Sequence, residues 1–431
     1  MMSEHRLVPQ TNGLTGEIEI PGDKSISHRA VILGSLAKGQ TKVSHFLESE
    51  DCLRTVDAFR AMGVEIEQNN DRLTINSQGA AALTEPLEPL YFGNSGTTAR
   101  LMIGLLSGLP LFTTIYGDAS LTKRPMDRVI DPLGEMSAEI TGREQARFLP
   151  IAINGKSLQN IEYTLPVKSA QVKSAILLAG LFAEGETKVT EKTKTRNHTE
   201  TMLQAFGANL NVEGNTVHLS GNQNLTATDV YVPGDISSAA FFLAGAAAKS
   251  QSNLTLKKVG LNETRTGILD VLTAMGANLQ ISNEKKMGGE TFGDITITSG
   301  ELSGIEISGE IIPRLIDEIP IIALLATQAN GETIIRDAEE LRVKETDRIA
   351  AVVDVLTTLG ADITATEDGM IIQGNTQLTG GSISSYDDHR IAMMGAIASL
   401  FTEDEIIIDD ISSIAISYPS FFDDFEKVTA N

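Results

Sequence analysis

Several short stretches concentrate side chains that can do chemistry. PGDKSISHRA at residues 21–30 sets Lys24, Ser25, His28 and Arg29 ahead of an apolar run. Ammonium, hydroxyl, guanidinium and the free amides of a helix start would together hold an anion there. GNSGTTARL at 93–101 repeats the design with hydroxyl and amide groups, and Gly96 would let a ligand oxygen approach the backbone closely. SLTKRP at 120–125 adds Lys123 and Arg124, KSAQ at 168–171 adds Ser169 and Gln171, and RNHTE at 196–200 adds Arg196 and His198. Further on, LIDEIP (315–320) brings Asp317 and Glu318, and RVKETDR (342–348) packs Arg342, Lys344, Glu345, Asp347 and Arg348 together. DDHR (387–390) opens an apolar segment with Arg390, where an arginine needs a partner.

Taken singly, most of these stretches have plainer readings: Ser, Asp and Glu cap helices, and dense charge faces solvent. Their joint placement argues otherwise. The chain carries 57 Asp+Glu against 34 Lys+Arg, a net of −23, yet its cations collect at the starts of apolar segments. That pattern implies a cleft binding more than one anionic group, with acids and bases beside them.

An acidic chain repels polyanions, so nucleic acid and anionic membrane surfaces are not expected partners. The longest wholly apolar run, AAFFLAGAAA at 239–248, falls far short of a membrane span, and the N-terminus has no apolar signal core. The single cysteine, Cys52, excludes a disulfide framework. The six histidines show no pair at ligand spacing, so no metal is expected. A cytoplasmic protein is the expectation.

The elements that must position these residues show as a repeat. A pentapeptide theme recurs at 69–84-residue intervals: MGVEI (62–66), MSAEI (136–140), FGANL (206–210), MGANL (275–279) and LGADI (359–363). Each closes a segment of helical apolar spacing with a small residue at the helix end, and a short strand-like run follows. A second kind of segment occurs six times, at 23–37, 94–108, 168–183, 235–248, 317–329 and 387–401. All six read as helices apolar nearly all round, hence buried, with polar residues confined to the first turns. Five of the six begin with cationic or multi-donor groups. The sixth repeat lacks its closing strands, which the N-terminal strands around 5–20 would supply. The pattern predicts an α/β protein of six βαβαββ units, three per domain: residues 21–231 in the first, and 1–20 plus 232–431 in the second.

On PGDKSISHRA, GNSGTTARL, RVKETDR and DDHR, in this order over essentially the whole chain, the sequence resembles the 3-phosphoshikimate 1-carboxyvinyltransferase (EPSP synthase) family of enolpyruvyl transferases. The resemblance implies a two-domain inside-out α/β barrel with its site between the domains. It implies transfer of the enolpyruvyl group of phosphoenolpyruvate to the 5-hydroxyl of shikimate 3-phosphate, in the shikimate pathway to aromatic amino acids, a reaction that calls for no metal or organic cofactor. Shikimate 3-phosphate would be held by Lys24, Ser25, Arg29, Ser169, Gln171, Arg196, Asp317 and Lys344. Phosphoenolpyruvate would be held by Lys24, Gly96, Arg124, Gln171, Arg348 and Arg390. Asp317 is similar to the family base at the 5-hydroxyl and Glu345 to the group that moves the methylene proton, with Lys24 as the third catalytic candidate. Ile416 stands where some members have a lysine. A monomer that closes on its substrates is expected.

Two alternatives differ in class. A UDP-N-acetylglucosamine enolpyruvyl transferase would share fold and donor, but many of that branch carry a cysteine in a loop that here reads DASLTKRPMD. A non-catalytic anion-binding protein on the same scaffold would need no acid or base.

Overall fold

The structure, a computed structural model, describes residues 4–430. Two compact units divide it: one holds residues 22–232 with 286–290, the other the remaining described residues. Among the described residues, twelve helices of eight residues or more alternate in kind. Those of the first kind are α1 (Lys24–Leu36), α3 (Gly96–Ser107), α5 (Ala170–Gly180), α7 (Ile236–Ala248), α9 (Ile319–Thr327) and α11 (His389–Ala398). Those of the second kind are α2 (Glu50–Ala61), α4 (Asp127–Glu135), α6 (His198–Ala205), α8 (Gly267–Ala274), α10 (Arg348–Thr358) and α12 (Phe421–Thr429).

The first kind matches the six apolar segments and is buried along nearly its whole length; in α1 every residue from Ile26 to Leu36 is buried. Such a helix can meet water only at its ends, so its first amides need partners. Asp23, Ser95, Ser169, Asp235 and Asp388 supply them, each accepting a backbone N–H two or three residues on. α9 has no side-chain cap and carries Pro320 in its first turn, where a missing N–H costs nothing.

The second kind presents one buried face. α10, for instance, buries Arg348, Ile349, Ala351, Val352, Val355 and Leu356, a spacing of three and four. Five of these helices end one residue before the pentapeptide theme. At its second position Gly63, Ser137, Gly207, Gly276 and Gly360 all take positive φ, from 67° to 96°. The amides of Val64, Ala138, Ala208, Ala277 and Ala361 then reach back to the carbonyls of Phe59, Leu133, Leu203, Leu272 and Leu356, closing the Schellman bond each time.

Each unit holds three larger sheets of one recurring order. In the second, third and fifth repeats a strand before the buried helix runs parallel to the strand after it, which pairs antiparallel with the second strand of a hairpin. Phe112–Tyr116, for example, lies between Leu90–Tyr91 on one side and Phe148–Asn154 on the other, with Glu139–Gly142 outermost. The chain's start is shared between two sheets. His5–Leu7 pairs with Ile406–Ile408 in the sixth repeat, and Thr15–Glu19 runs parallel to Asn253–Gly260 in the fourth. The second unit thus closes its first sheet with the N-terminal segment, just as Leu225–Thr226 and Val230–Tyr231 close the sheet of Ala37–Ser44 in the other.

Candidate active site

In the 22–232 unit the named residues gather at the starts of α1, α3 and α5. Lys24 Nζ lies 3.2 Å from Asp51 Oδ2 in the first turn of α2. The Asp51 carbonyl accepts from Thr98 Oγ1 at 3.3 Å, so one residue ties the starts of α1 and α3 together. Arg29 is 5% exposed, and its hydrogen bonds go to neutral oxygens: Ser25 O at 2.9 Å, Ser174 Oγ at 2.8 Å and Thr199 Oγ1 at 2.7 Å. Burial, and then Arg196, lower its pKa to about 10, against the pull of Glu200, Asp23 and Glu290, so it stays charged at neutral pH.

A second group forms over the start of α3. A Cβ built on Gly96 would lie 3.0 Å from Arg100 Nη1 and 3.4 Å from Arg124 Nη1, so glycine keeps open the space under two guanidinium groups. Arg100 Nη1 donates to Gln171 Oε1 at 2.8 Å, Gln171 Nε2 donates to Thr97 Oγ1 at 3.0 Å, and Arg124 Nη2 donates to Asn94 Oδ1 at 2.7 Å. Gly96, Arg124 and Gln171 are therefore neighbours. Arg100 and Asn94, which join them, were not singled out by the sequence reading, although both lie inside the quoted GNSGTTARL. Ser169 does what a plain cap does, its Oγ accepting from Val172 N at 3.4 Å. Arg196 sits just before α6, half-buried.

In the other unit five named residues meet around one carboxylate. Asp317 Oδ1 is 3.0 Å from Arg348 Nη1 and 3.3 Å from Lys344 Nζ, and its Oδ2 is 3.8 Å from Arg390 Nη2. Glu345 Oε2 accepts from Arg348 Nη2 at 2.7 Å. The helix-capping reading of LIDEIP fails on both acids: Asp317 serves these cations, and Glu318 hydrogen-bonds Ser237 Oγ in α7.

Arg348, 1% exposed, is the centre of this group. Asp388 takes its Nε at 2.7 Å and its Nη2 at 3.3 Å, so with Glu345 and Asp317 four bonds engage a side chain that has five N–H donors. Burial by itself would lower its pKa, but Asp388, Glu345 and Asp317 outweigh that and raise it. The sequence reading passed over Asp388, which also caps α11 by accepting from Arg390 N at 2.9 Å. Arg390 is buried, and its Nε has no hydrogen-bond partner among the described residues. An unmet guanidinium N–H beside an acid that three cations share is what an anionic ligand would complete.

Cys52 is buried, with Sγ 3.8 Å from the Lys24 carbonyl oxygen, and desolvation pushes its thiol up to about 12. It is packing, not a nucleophile or an acid.

These features define an enolpyruvyl transferase-like α/β protein, and the solved enolpyruvyl transferase NikO of Streptomyces tendae shares the fold, with a TM-score of 0.81 at 16% identity and cover of 99% of this chain and 98% of that one. The narrower match is to EPSP synthase (3-phosphoshikimate 1-carboxyvinyltransferase), whose family model spans residues 8–425, and the chain belongs to that family. It is 60% identical to the 3-phosphoshikimate 1-carboxyvinyltransferase of Oceanobacillus iheyensis over 427 residues, 99% of this chain and 100% of the relative. To that of Bacillus cereus strain G9842 it is 56% identical over the same lengths. The solved EPSP synthase of Acinetobacter baumannii superposes with a TM-score of 0.90 at 45% identity, covering 99% of this chain and 98% of that one.

Proposed function

We propose that this enzyme joins phosphoenolpyruvate to the 5-hydroxyl of shikimate 3-phosphate, giving 5-enolpyruvylshikimate 3-phosphate and inorganic phosphate, with the residues of both units serving one substrate pair. The observation that carries the chemistry is the Asp317 group. Its acids and bases number three carboxylates, Asp317, Glu345 and Asp388, and three cations, Lys344, Arg348 and Arg390. The group is locally neutral, so an anion entering beside Arg390 must be matched by release or protonation of one acid. Glu345 suits that role, its side chain 30% exposed against 10% for Asp317 and none for Asp388.

In this mechanism Asp317 accepts the 5-hydroxyl proton while the oxygen bonds to C2 of phosphoenolpyruvate, and Glu345 delivers a proton to its methylene carbon. The tetrahedral intermediate then expels phosphate as the methyl carbon returns its proton to Glu345, and the hydroxyl proton held by Asp317 leaves with the phosphate. The step balances in protons and phosphate alone. Lys24, Gly96, Arg124, Gln171, Arg348 and Arg390 hold phosphoenolpyruvate, Arg348 through its one remaining Nη1 N–H. Lys24, Ser25, Arg29, Ser169, Gln171, Arg196, Asp317 and Lys344 hold shikimate 3-phosphate. Fixed guanidinium and ammonium groups keep both anions in place as charge develops.

The same reading takes the recurring sheets as six βαβαββ units in an inside-out barrel of two domains, 21–231 and 1–20 plus 232–431, acting as a cytoplasmic monomer without nucleic-acid partners. Phosphate release should appear with shikimate 3-phosphate and phosphoenolpyruvate and stay absent when UDP-N-acetylglucosamine replaces the former. The buried, protonated Cys52 supports that choice. Asp317→Asn should lower kcat at least about a hundredfold with both KM values within a few-fold. Unchanged turnover would remove Asp317 as the base, and absence of phosphate release by the intact protein would turn the reading to a binding protein.

A further inference from the structure

One turn into α5, below Ser169 and Gln171, lies a lysine that the chemistry above does not use. Lys173 is 1% exposed, and its Nζ stands 2.8 Å from Glu191 Oε2 and 2.6 Å from Glu200 Oε1. Both acids are buried. Glu191 gives its other oxygen to Thr195, accepting from the backbone N at 3.1 Å and from Oγ1 at 2.5 Å, which closes the turn leading into Arg196. Glu200, in the first turn of α6, follows Thr199, the residue that receives Arg29 Nε. Its Oε2 is buried without a hydrogen-bond partner among the described residues.

The charge arithmetic is uneven. One ammonium faces two carboxylates, so a negative charge is left over beside Arg29, whose own bonds are all to neutral oxygens. Among the charged neighbours that act on Arg29, Glu200 is the strongest. Without Lys173, the freed Glu200 carboxylate would find its counter-charge in that guanidinium.

We propose that Lys173 is a positioning residue for phosphate binding: by holding Glu191 and Glu200 it pins the Thr195–Arg196 turn to α5 and stops Glu200 from capturing Arg29. This rests on the reading that Arg29 and Arg196 take the phosphate of shikimate 3-phosphate. Removing the charge, as in Lys173→Met, then raises the KM for shikimate 3-phosphate tenfold or more. The KM for phosphoenolpyruvate moves less than about twofold, because Arg29 and Arg196, which the Glu191–Lys173–Glu200 bridge keeps in place, are not among the residues assigned to it. Lys173→Met/Glu200→Gln recovers most of the lost affinity, since the competing carboxylate is gone.

The experiment is steady-state kinetics of the full-length variants, varying each substrate in turn, with melting curves to show which of them fold. Equal rises in both KM values, or no recovery in the double variant, overturn the proposal. Should Lys173→Met not fold, Glu200→Gln alone decides. It keeps the Lys173–Glu191 pair and removes a buried negative charge near the phosphate, so the KM for shikimate 3-phosphate should fall at least twofold, and an unchanged or higher value overturns the proposal. Arg29→Gln separates the two levels. If it leaves that KM unaltered the site assignment fails, whereas if it raises KM and Lys173→Met does not, only the role of Lys173 fails.

Discussion

His28 and Arg348 are both buried ionisable side chains, and the protein treats them in opposite ways. Arg348 is kept charged by surrounding it with Asp388, Asp317 and Glu345. Replacing it with methionine strands those carboxylates, and unfolding free energy should fall by about 3–5 kcal/mol in a urea titration. His28 is kept neutral. Its Nδ1 shares a proton with Thr55 Oγ1 at 2.8 Å, and the chain of hydroxyls continues through Thr98 to Ser95, the cap of α3. Burial holds its pKa down to about 3, with Lys24 and Arg29 reinforcing burial and Asp51 opposing it. The unfolded chain takes up that proton near pH 6.5, so between 6.5 and about 3 it binds more protons than the folded one. Stability is therefore complete above pH 6.5 and declines as pH falls, by up to about 1.4 kcal/mol per pH unit from this residue. Urea titrations at pH 7, 5.5 and 4 should show a shallower decline in His28→Gln; an identical slope would assign the acid sensitivity to other groups.

At the scale of elements, helix ends were the most legible feature, because the chemistry that sets them is local. A polar residue before an apolar run announces a cap, and a small residue after one announces the left-handed turn. Asp23, Ser95, Asp235 and Asp388 cap as their neighbours in sequence dictate. What could not be read was which acid serves which distant cation. Asp317 and Glu318 stand side by side, yet one turns to Lys344, Arg348 and Arg390 and the other to Ser237, choices made by packing between helices far apart in the chain. Asp51 and Asp388 were overlooked for the same reason. The Schellman ends also carry a stability prediction. Ser137 alone among the five turn positions is not glycine, and it holds φ at 67°. Ser137→Gly should stabilise by up to about 1 kcal/mol, and Gly207→Ala, at φ 84°, should destabilise by a similar amount. Thermal melts of the two variants should shift in opposite directions.

At the scale of the molecule, the chain builds two apolar cores rather than one. The first runs from Ile26 to Val232, the second from Leu7 to Ile20 and from Ile236 to Val428. Residues 22–232 contain every strand of their three sheets, for Val230–Tyr231 returns to pair with Ala37–Ser44 and the Val232 amide donates to Ser44 O at 3.0 Å. What such a fragment lacks is the short segment 286–290, whose buried Glu290 meets His198 Nδ1 at 2.8 Å. Expressed alone, residues 22–232 should unfold cooperatively, less stable by about 1–3 kcal/mol for the polar group left without Glu290. It retains Arg29, Ser169, Gln171 and Arg196 but not Asp317 or Glu345, so calorimetry should detect shikimate 3-phosphate while no phosphate is released from phosphoenolpyruvate. Turnover by this fragment would place the acid and base inside the first unit, against the roles given to Asp317 and Glu345. Non-cooperative melting would mean that its core depends on the second unit for more than one buried carboxylate.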